Sequence, residues 1–134
     1  MGLFFWTPLV NITKEIGPVK ILEKSHKDNL QFYCKNKKYS FKNGVYNWGI
    51  FQEETVIKKY FEVSPLTKPT DLVVMDYLTI HSSGKNISNF PRWSIQYRYF
   101  NFTDTIGAKI GWKSSVNHAN EIKNFFPQNI KVDT

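Results

Sequence analysis

The sequence has very little cysteine, few acidic residues and no long apolar run. Cys34 is the single cysteine among 134 residues, which excludes a disulfide framework and a cysteine-based zinc site. No stretch approaches the ~20 consecutive apolar residues of a transmembrane helix. The opening MGLFFWTPLV also lacks the basic segment of a secretion signal. We therefore expect a cytoplasmic protein with no membrane partner.

The shortage of acidic residues leaves the chain strongly basic. Eleven acidic residues stand against eighteen basic ones, and the formal net charge is +7. A basic β-domain that binds nucleic acid is one interpretation, and its binding would depend steeply on salt concentration. The lysines do not form a single block, however, and the densest stretch, 34–42, is expected to be a solvated loop. We therefore expect no nucleic-acid partner.

The chain is rich in aromatic residues, which make up 16% of it, with eleven Phe, seven Tyr and four Trp. This composition predicts a packed core rather than disorder and favours pleated β-structure. The length predicts one domain, 1–134. Segments 2–12 and 18–25 are predicted strands, while 53–65 is ambiguous between helix and strand. The predicted fold class is mostly β with one or two short helices.

Two later segments carry the pattern of core strands. The run DLVVMDYLTIH, 71–81, is continuously apolar and ends in His81, which predicts one strand buried on both faces or nearly so. The run RWSIQYRYFNF, 92–102, alternates instead, with aromatic and aliphatic residues on one face. The opposite face carries four polar residues, namely Arg92, Ser94, Gln96 and Arg98. The last thirty residues are predicted to close over the sheet.

Arginine is scarce, since only Arg92 and Arg98 accompany sixteen lysines. A solvent-facing cation in this chain is normally lysine, whereas arginine offers a rigid fork that binds a carboxylate with two hydrogen bonds. Two interpretations of the polar face stay open, a solvated surface or a carboxylate-binding pocket. His81 is likewise either a hydrogen-bonded core residue or a metal ligand. Arg98 is expected to pair with a carboxylate of the sheet.

The segment 71–102 resembles the C-terminal half of the phytanoyl-CoA dioxygenase family, whose members depend on Fe(II) and 2-oxoglutarate. In that family an iron-binding histidine ends a strand, an SGxNxS loop follows, and an RW pair carries the arginine that binds 2-oxoglutarate. The matching positions are His81, Ser83-Gly84, Asn86, Ser88 and Arg92-Trp93. Upstream, 2–27 and 63–76 are similar to the preceding family segments, so the resemblance spans about 2 to 112.

The resemblance implies an incomplete double-stranded β-helix, a jelly-roll or cupin-like fold. It implies that His81 is an iron ligand, that Arg92 binds 2-oxoglutarate, and that Trp6 either packs near the keto acid or is a plain core residue. Ser94 and Gln96, on the same face as Arg92, are candidate polar groups of the cofactor pocket. The family's other two iron ligands form an H-x-D or H-x-E pair that would precede Met1, so the N-terminal strands are expected to be missing.

A substitute H-x-D occurs at His26-Lys27-Asp28, 55 residues before His81. The SHK of this stretch matches a structural turn of the family that lies away from the iron. We therefore do not expect His26 and Asp28 to replace the missing ligands.

The implied function is the C-terminal part of a non-haem Fe(II)- and 2-oxoglutarate-dependent dioxygenase that hydroxylates a small organic or acyl substrate. With one of three iron ligands retained, the chain is expected to be inactive alone or dependent on a partner. That partner would be a second copy or a complementing N-terminal half, either of which would cover an exposed sheet edge. The alternative is a non-catalytic jelly-roll remnant that acts as a binding or interaction domain.

Overall fold

A computed structural model describes residues 2–28, 30–35, 48–101, 105, 130 and 131 of the chain. These residues form short strands with one α-helix, α1 (Glu53–Ile57), and a 3-10 helix (Ser25–Asp28). The strands are β1 Gly2–Pro8, β2 Val19–Leu22, β3 Tyr33–Lys35, β4 Trp48–Ile50, β5 Glu62–Val63, β6 Val73–Asp76, β7 His81–Ser83, β8 Ser94–Phe100 and β9 Ile130–Lys131. The mostly-β prediction is therefore confirmed, and the ambiguous segment 53–65 contains both α1 and β5.

Two antiparallel sheets dominate the described part of the chain. The first sheet has the strand order β6-β1-β8, and the second has the order β5-β2-β7. The strands from β5 to β8 fall in the second, first, second and first sheet in turn, so the chain crosses between the sheets three times. A smaller sheet, β4-β3-β9, pairs β3 with β9 in parallel.

The core lies between the first and second sheets. Strand β1 alternates in burial, and its inward residues Phe4 and Trp6 are 5% and 3% exposed. They pack in one cluster with Met75 of β6 and Val19 of β2, joined by Ile12. Burial of each such side chain stabilises the fold by roughly 1.5–3 kcal/mol. The two sheets are therefore held face to face at β1 and β2.

The prediction of one strand over 71–81, buried on both faces, is wrong. Strand β6 ends at Asp76, whose carboxylate accepts a hydrogen bond from the backbone N–H of Leu78 at 2.8 Å. Such a local bond from Asp stabilises a turn, and the chain then crosses to the second sheet. His81 therefore begins β7 rather than ending a strand. Val74 is half exposed, because only the opposite face of β6 meets the core.

The two faces of β8 are oriented by its register with β1. Gln96 is paired with Trp6, and Arg98 with Phe4, so the polar side chains of β8 share the inward face of the first sheet. The apolar side chains of β8 point outward and are exposed. Gln96 and Arg98 are nevertheless exposed and Arg92 is partly buried, so this face is directed inward yet stays open to solvent. The prediction for the last thirty residues lies outside the described part, apart from 105, 130 and 131.

Candidate carboxylate-binding site

A cavity of about 270 Å³ opens between the first and second sheets. Its lining residues are Phe4, Trp6, Val19, His81, Ser82, Ser83, Arg92, Gln96 and Arg98. Both arginines of the chain are in this lining, whereas no acidic side chain among the described residues is. The cavity is therefore electropositive and suited to a small anion.

Arg92 is held in place by two hydrogen bonds from its guanidinium group. Nη1 donates to the carbonyl oxygen of Gly17 at 3.0 Å, and Nη2 donates to Ser83 Oγ at 2.6 Å. A guanidinium group has five N–H donors, so three remain for a ligand. Because the fork is already oriented, little side-chain entropy is lost when a carboxylate binds.

The loops that hold Arg92 cross in close contact at Gly17 and Gly84. Gly17 has a positive φ of 85°, and a Cβ there would lie 2.6 Å from the carbonyl oxygen of Gly84. A Cβ on Gly84 would lie 2.5 Å from the carbonyl oxygen of Pro18, which accepts the Gly84 N–H at 2.8 Å. Glycine is required at both positions because two backbone segments meet there. This crossing presents the Gly17 carbonyl to Arg92.

The loop from β7 to β8 is braced by Asn86 and Ser88. Asn86 Nδ2 donates to the carbonyl oxygen of Phe90 at 2.7 Å, and its Oδ1 accepts from both the N–H and the hydroxyl of Ser88. The N–H of Phe90 in turn donates to Ser88 Oγ at 3.1 Å. The Asn and Ser of the SGxNxS pattern therefore shape the loop two residues before Arg92.

His81 projects into the cavity with a defined tautomer. Its Nδ1 lies 2.8 Å from the carbonyl oxygen of Thr79, and a carbonyl only accepts, so Nδ1 carries the proton. In the neutral ring Nε2 is then the nitrogen with the lone pair. The ring packs at 5.1 Å from the Phe4 ring. This arrangement leaves Nε2 able to accept a hydrogen bond or to bind a metal ion.

Arg98 does not pair with a carboxylate among the described residues, contrary to the expectation from sequence. Its Cζ lies 5.2 Å from the centre of the Phe4 ring, a cation–π arrangement. Its only described hydrogen bond runs from Nη2 to Gln96 Oε1 at 3.4 Å, which is long and therefore weak. A cation in the cavity wall is left without a neutralising partner in this part of the chain.

An iron site of two histidines and a carboxylate does not fit the residues that the structure describes. No group of three or more His, Cys, Asp or Glu side chains there could hold a metal ion. His26 and Asp28 do not line the cavity, and Asp28 Oδ2 accepts a 2.6 Å hydrogen bond from the Tyr60 hydroxyl. That bond, with some burial, raises the pKa of Tyr60. His81 is thus the single metal-ligating side chain of the cavity lining.

The structure brings together three of the four residues that the resemblance assigned to the site. His81, Arg92 and the buried Trp6 line the cavity, whereas Ser94 lies on the same face of β8 but is outside the lining. Sequence reasoning gave no ligand-binding role to Phe4 or Arg98. The alternation of the two strands could have indicated both residues. Phe4 shares a face of β1 with Trp6, and Arg98 shares a face of the β8 segment with Arg92.

No protein-family model matches the chain, and no curated protein matches it. Within the described ranges, no helix has the length and apolarity needed to cross a bilayer. The case for function therefore rests on the geometry of the cavity and on the residues that carry the resemblance.

Proposed function

We propose that this chain binds 2-oxoglutarate and is the C-terminal part of a non-haem Fe(II)- and 2-oxoglutarate-dependent dioxygenase of the phytanoyl-CoA type. The observation that carries the proposal is that both arginines of a lysine-rich chain line one cavity, together with His81 and without an acidic side chain. Such a cavity attracts a compound with more than one negative charge.

A jelly-roll or double-stranded β-helix is the fold that we propose for the single domain. The repeated crossing of the chain between two antiparallel sheets, with a cavity between them, supports it. A cytoplasmic location completes the proposal, because a chain with one cysteine has no intramolecular disulfide suited to an oxidising compartment.

Arg92 would bind one carboxylate of 2-oxoglutarate through its three remaining N–H groups. Its bonds to Gly17 and Ser83 fix the guanidinium plane, so the two-pronged contact forms without reorganisation. Trp6, 3% exposed, supplies a rigid apolar wall for the carbon chain of the ligand. Ser94 would contact the ligand only if its side chain turned toward the cavity.

Bound Fe(II) in this family supplies oxygen activation with release of succinate and CO2. His81, through Nε2, is the one described residue of the cavity suited to hold it, so the described residues account for carboxylate binding and not for oxygen activation. Two further ligands would have to come from outside the described residues, from a second copy or from a complementing N-terminal polypeptide. The hydroxylated substrate would be a small organic or acyl compound.

The first experiment is anaerobic calorimetric titration of the protein with 2-oxoglutarate, in EDTA and again with Mn(II). We expect binding in EDTA that Arg92→Lys weakens about 10- to 100-fold, because charge-assisted hydrogen bonds contribute about 1.5–3 kcal/mol. Lys14→Gln, at an exposed surface position, is the control and should leave the affinity unchanged. Absence of 2-oxoglutarate binding at millimolar concentration under both conditions would overturn the proposal.

The Mn(II) arm also tests the role of His81. We expect any enhancement of 2-oxoglutarate affinity by Mn(II) to be lost in His81→Ala and kept in the double variant His26→Ala/Asp28→Ala. Loss of the enhancement in the double variant would contradict our assignment of His26 and Asp28 to a structural turn.

A non-catalytic binding domain is the second candidate function. It is favoured by the lack of a three-ligand metal cluster among the described residues. It predicts 2-oxoglutarate binding that is indifferent to Mn(II) and to His81→Ala, which separates it from the dioxygenase proposal.

A further inference from the structure

The mismatch between the cavity and an iron site points to a different way of holding the ligand. The described cavity has no carboxylate that could bind a metal, yet it has a second arginine, Arg98, without an acidic partner. Arg98 is exposed, so its guanidinium group is accessible to an anionic ligand that enters the cavity. A metal-free site for two negative charges fits these residues better than a metal site does.

The two arginines line the same cavity and have different neighbours. Arg92 is anchored at Ser83 of β7, and His81 lies two residues earlier on that strand, about 7 Å away. From His81 the wall continues through the Phe4 ring, which contacts both the His81 ring and the Arg98 guanidinium. Arg92 and Arg98 are therefore separated by the His81–Phe4 contact.

A five-carbon dicarboxylate has two carboxylates, one for each arginine of the lining. Its carboxyl carbons are about 5 Å apart when the chain is extended, and each guanidinium–carboxylate pair adds about 4 Å between carbon atoms. A volume of about 270 Å³, close to nine liquid-water volumes at about 30 Å³ each, accommodates such a ligand with some water.

We infer that Arg98 binds the second carboxylate of the ligand, so that a dicarboxylate is held between two arginines without a metal ion. This inference rests on the proposed function, which assigns one carboxylate of the ligand to Arg92. It adds Arg98 as the residue that binds the other carboxylate. Arg98 is then the residue that makes the site selective for dicarboxylates over monocarboxylates.

The test compares two ligands that differ in one carboxylate, 2-oxoglutarate and 2-oxopentanoate, by calorimetry in EDTA. Wild-type protein should bind 2-oxoglutarate at least about 10-fold more tightly. In Arg98→Gln that preference should fall to within about twofold, while Arg98→Lys should keep part of it because the charge remains. Lys14→Gln removes the same charge from the surface and should leave the preference intact. A thermal unfolding curve for each variant verifies that it is folded.

The outcomes distinguish the two proposals. If wild-type protein binds neither ligand, the proposed function fails. If it binds 2-oxoglutarate in an Arg92-dependent manner and Arg98→Gln leaves the preference unchanged, the proposed function stands and the assignment of Arg98 is overturned. Binding of 2-oxoglutarate only when Mn(II) is present would also overturn it, since the second carboxylate would then be held by metal.

Discussion

At the scale of single residues, Ser83 is the side chain that orients Arg92 from the second sheet. Its Oγ accepts the 2.6 Å hydrogen bond from Arg92 Nη2. We expect Ser83→Ala to weaken 2-oxoglutarate binding about 2- to 10-fold, the effect of one hydrogen bond of about 0.5–1.5 kcal/mol. Ser64→Ala, at an exposed serine outside the cavity lining, is the matched control. Equal effects of the two changes in calorimetry would argue against an orienting role.

The hydrogen bond between Tyr60 and Asp28 makes stability depend on pH at high pH. Because the Tyr60 hydroxyl donates this bond to Asp28, and because some burial and the Asp28 charge also favour the protonated phenol, the folded-state pKa of Tyr60 is raised above 10.0. A raised pKa gives a contribution that is fully present below the unfolded-state pKa and is lost as pH rises through the folded-state pKa. Wild-type protein should thus exceed Tyr60→Phe in free energy of unfolding at pH 8, by less than about 1 kcal/mol.

The measurement is urea unfolding of both proteins at pH 8 and above pH 10. The difference between them should shrink at the higher pH. A difference that grows with pH would show that the Tyr60 hydroxyl is not the donor in this bond.

At the scale of elements, the crossing of the β1–β2 and β7–β8 connections controls both stability and the site. Gly17→Ala forces a Cβ against the Gly84 carbonyl and a side chain onto a positive φ. We expect a loss of about 1–3 kcal/mol in the free energy of unfolding and weaker 2-oxoglutarate binding, since the Gly17 carbonyl holds Arg92. Lys85→Ala, exposed and next to Gly84, should change stability by less than about 0.5 kcal/mol. Urea unfolding and calorimetry measure the two effects, and an unchanged stability of Gly17→Ala would contradict the close crossing.

Sequence pattern predicted elements well where one face of a strand is buried. The alternation over 92–102 was sufficient to assign β8, because a period of two fixes which residues share a face. The apolar run 71–81 was misassigned, since periodicity does not reveal where a chain turns. The turn depends on the hydrogen bond that the Leu78 N–H donates to the Asp76 carboxylate. The apolar composition of the run gave no indication of this bond.

At the scale of the whole molecule, the outer side of the first sheet presents an apolar surface. We call it the outer aromatic face, and its exposed members are Leu3, Val74, Ile95, Tyr97 and Tyr99. Tyr97 and Tyr99 are 53% and 67% exposed. In proteins generally, a contiguous exposed apolar patch on the order of 400 Å² is typical of an interface. Strand β8 is also an edge of the first sheet as described. Both features favour a partner at this face, either a second copy or a complementing polypeptide.

We expect the protein to self-associate through the outer aromatic face when no other partner is present. Tyr97→Lys places a charge in the middle of that face and should raise the dimer dissociation constant about 10-fold or more in sedimentation velocity. Phe61→Lys adds the same charge at an aromatic residue that is 72% exposed and belongs to another part of the surface. An equal effect of both changes would indicate nonspecific association, and a monomeric wild-type protein would favour the complementing polypeptide.

The sequence alone determined the mostly-β class, two strands of the first sheet, and the contrast between arginine and lysine that drew attention to Arg92. These follow from local properties, namely aromatic composition, period-two alternation and the contrast of two arginines with sixteen lysines. Tertiary structure alone decided that the polar face of β8 lies on the inward side of the first sheet, where Gln96 and Arg98 line an open cavity. Sequence could not settle this, because the orientation depends on pairing with β1, whose residues are about 90 positions away along the chain. The same pairing sets Arg98 against Phe4 and completes an electropositive cavity that no local pattern contains.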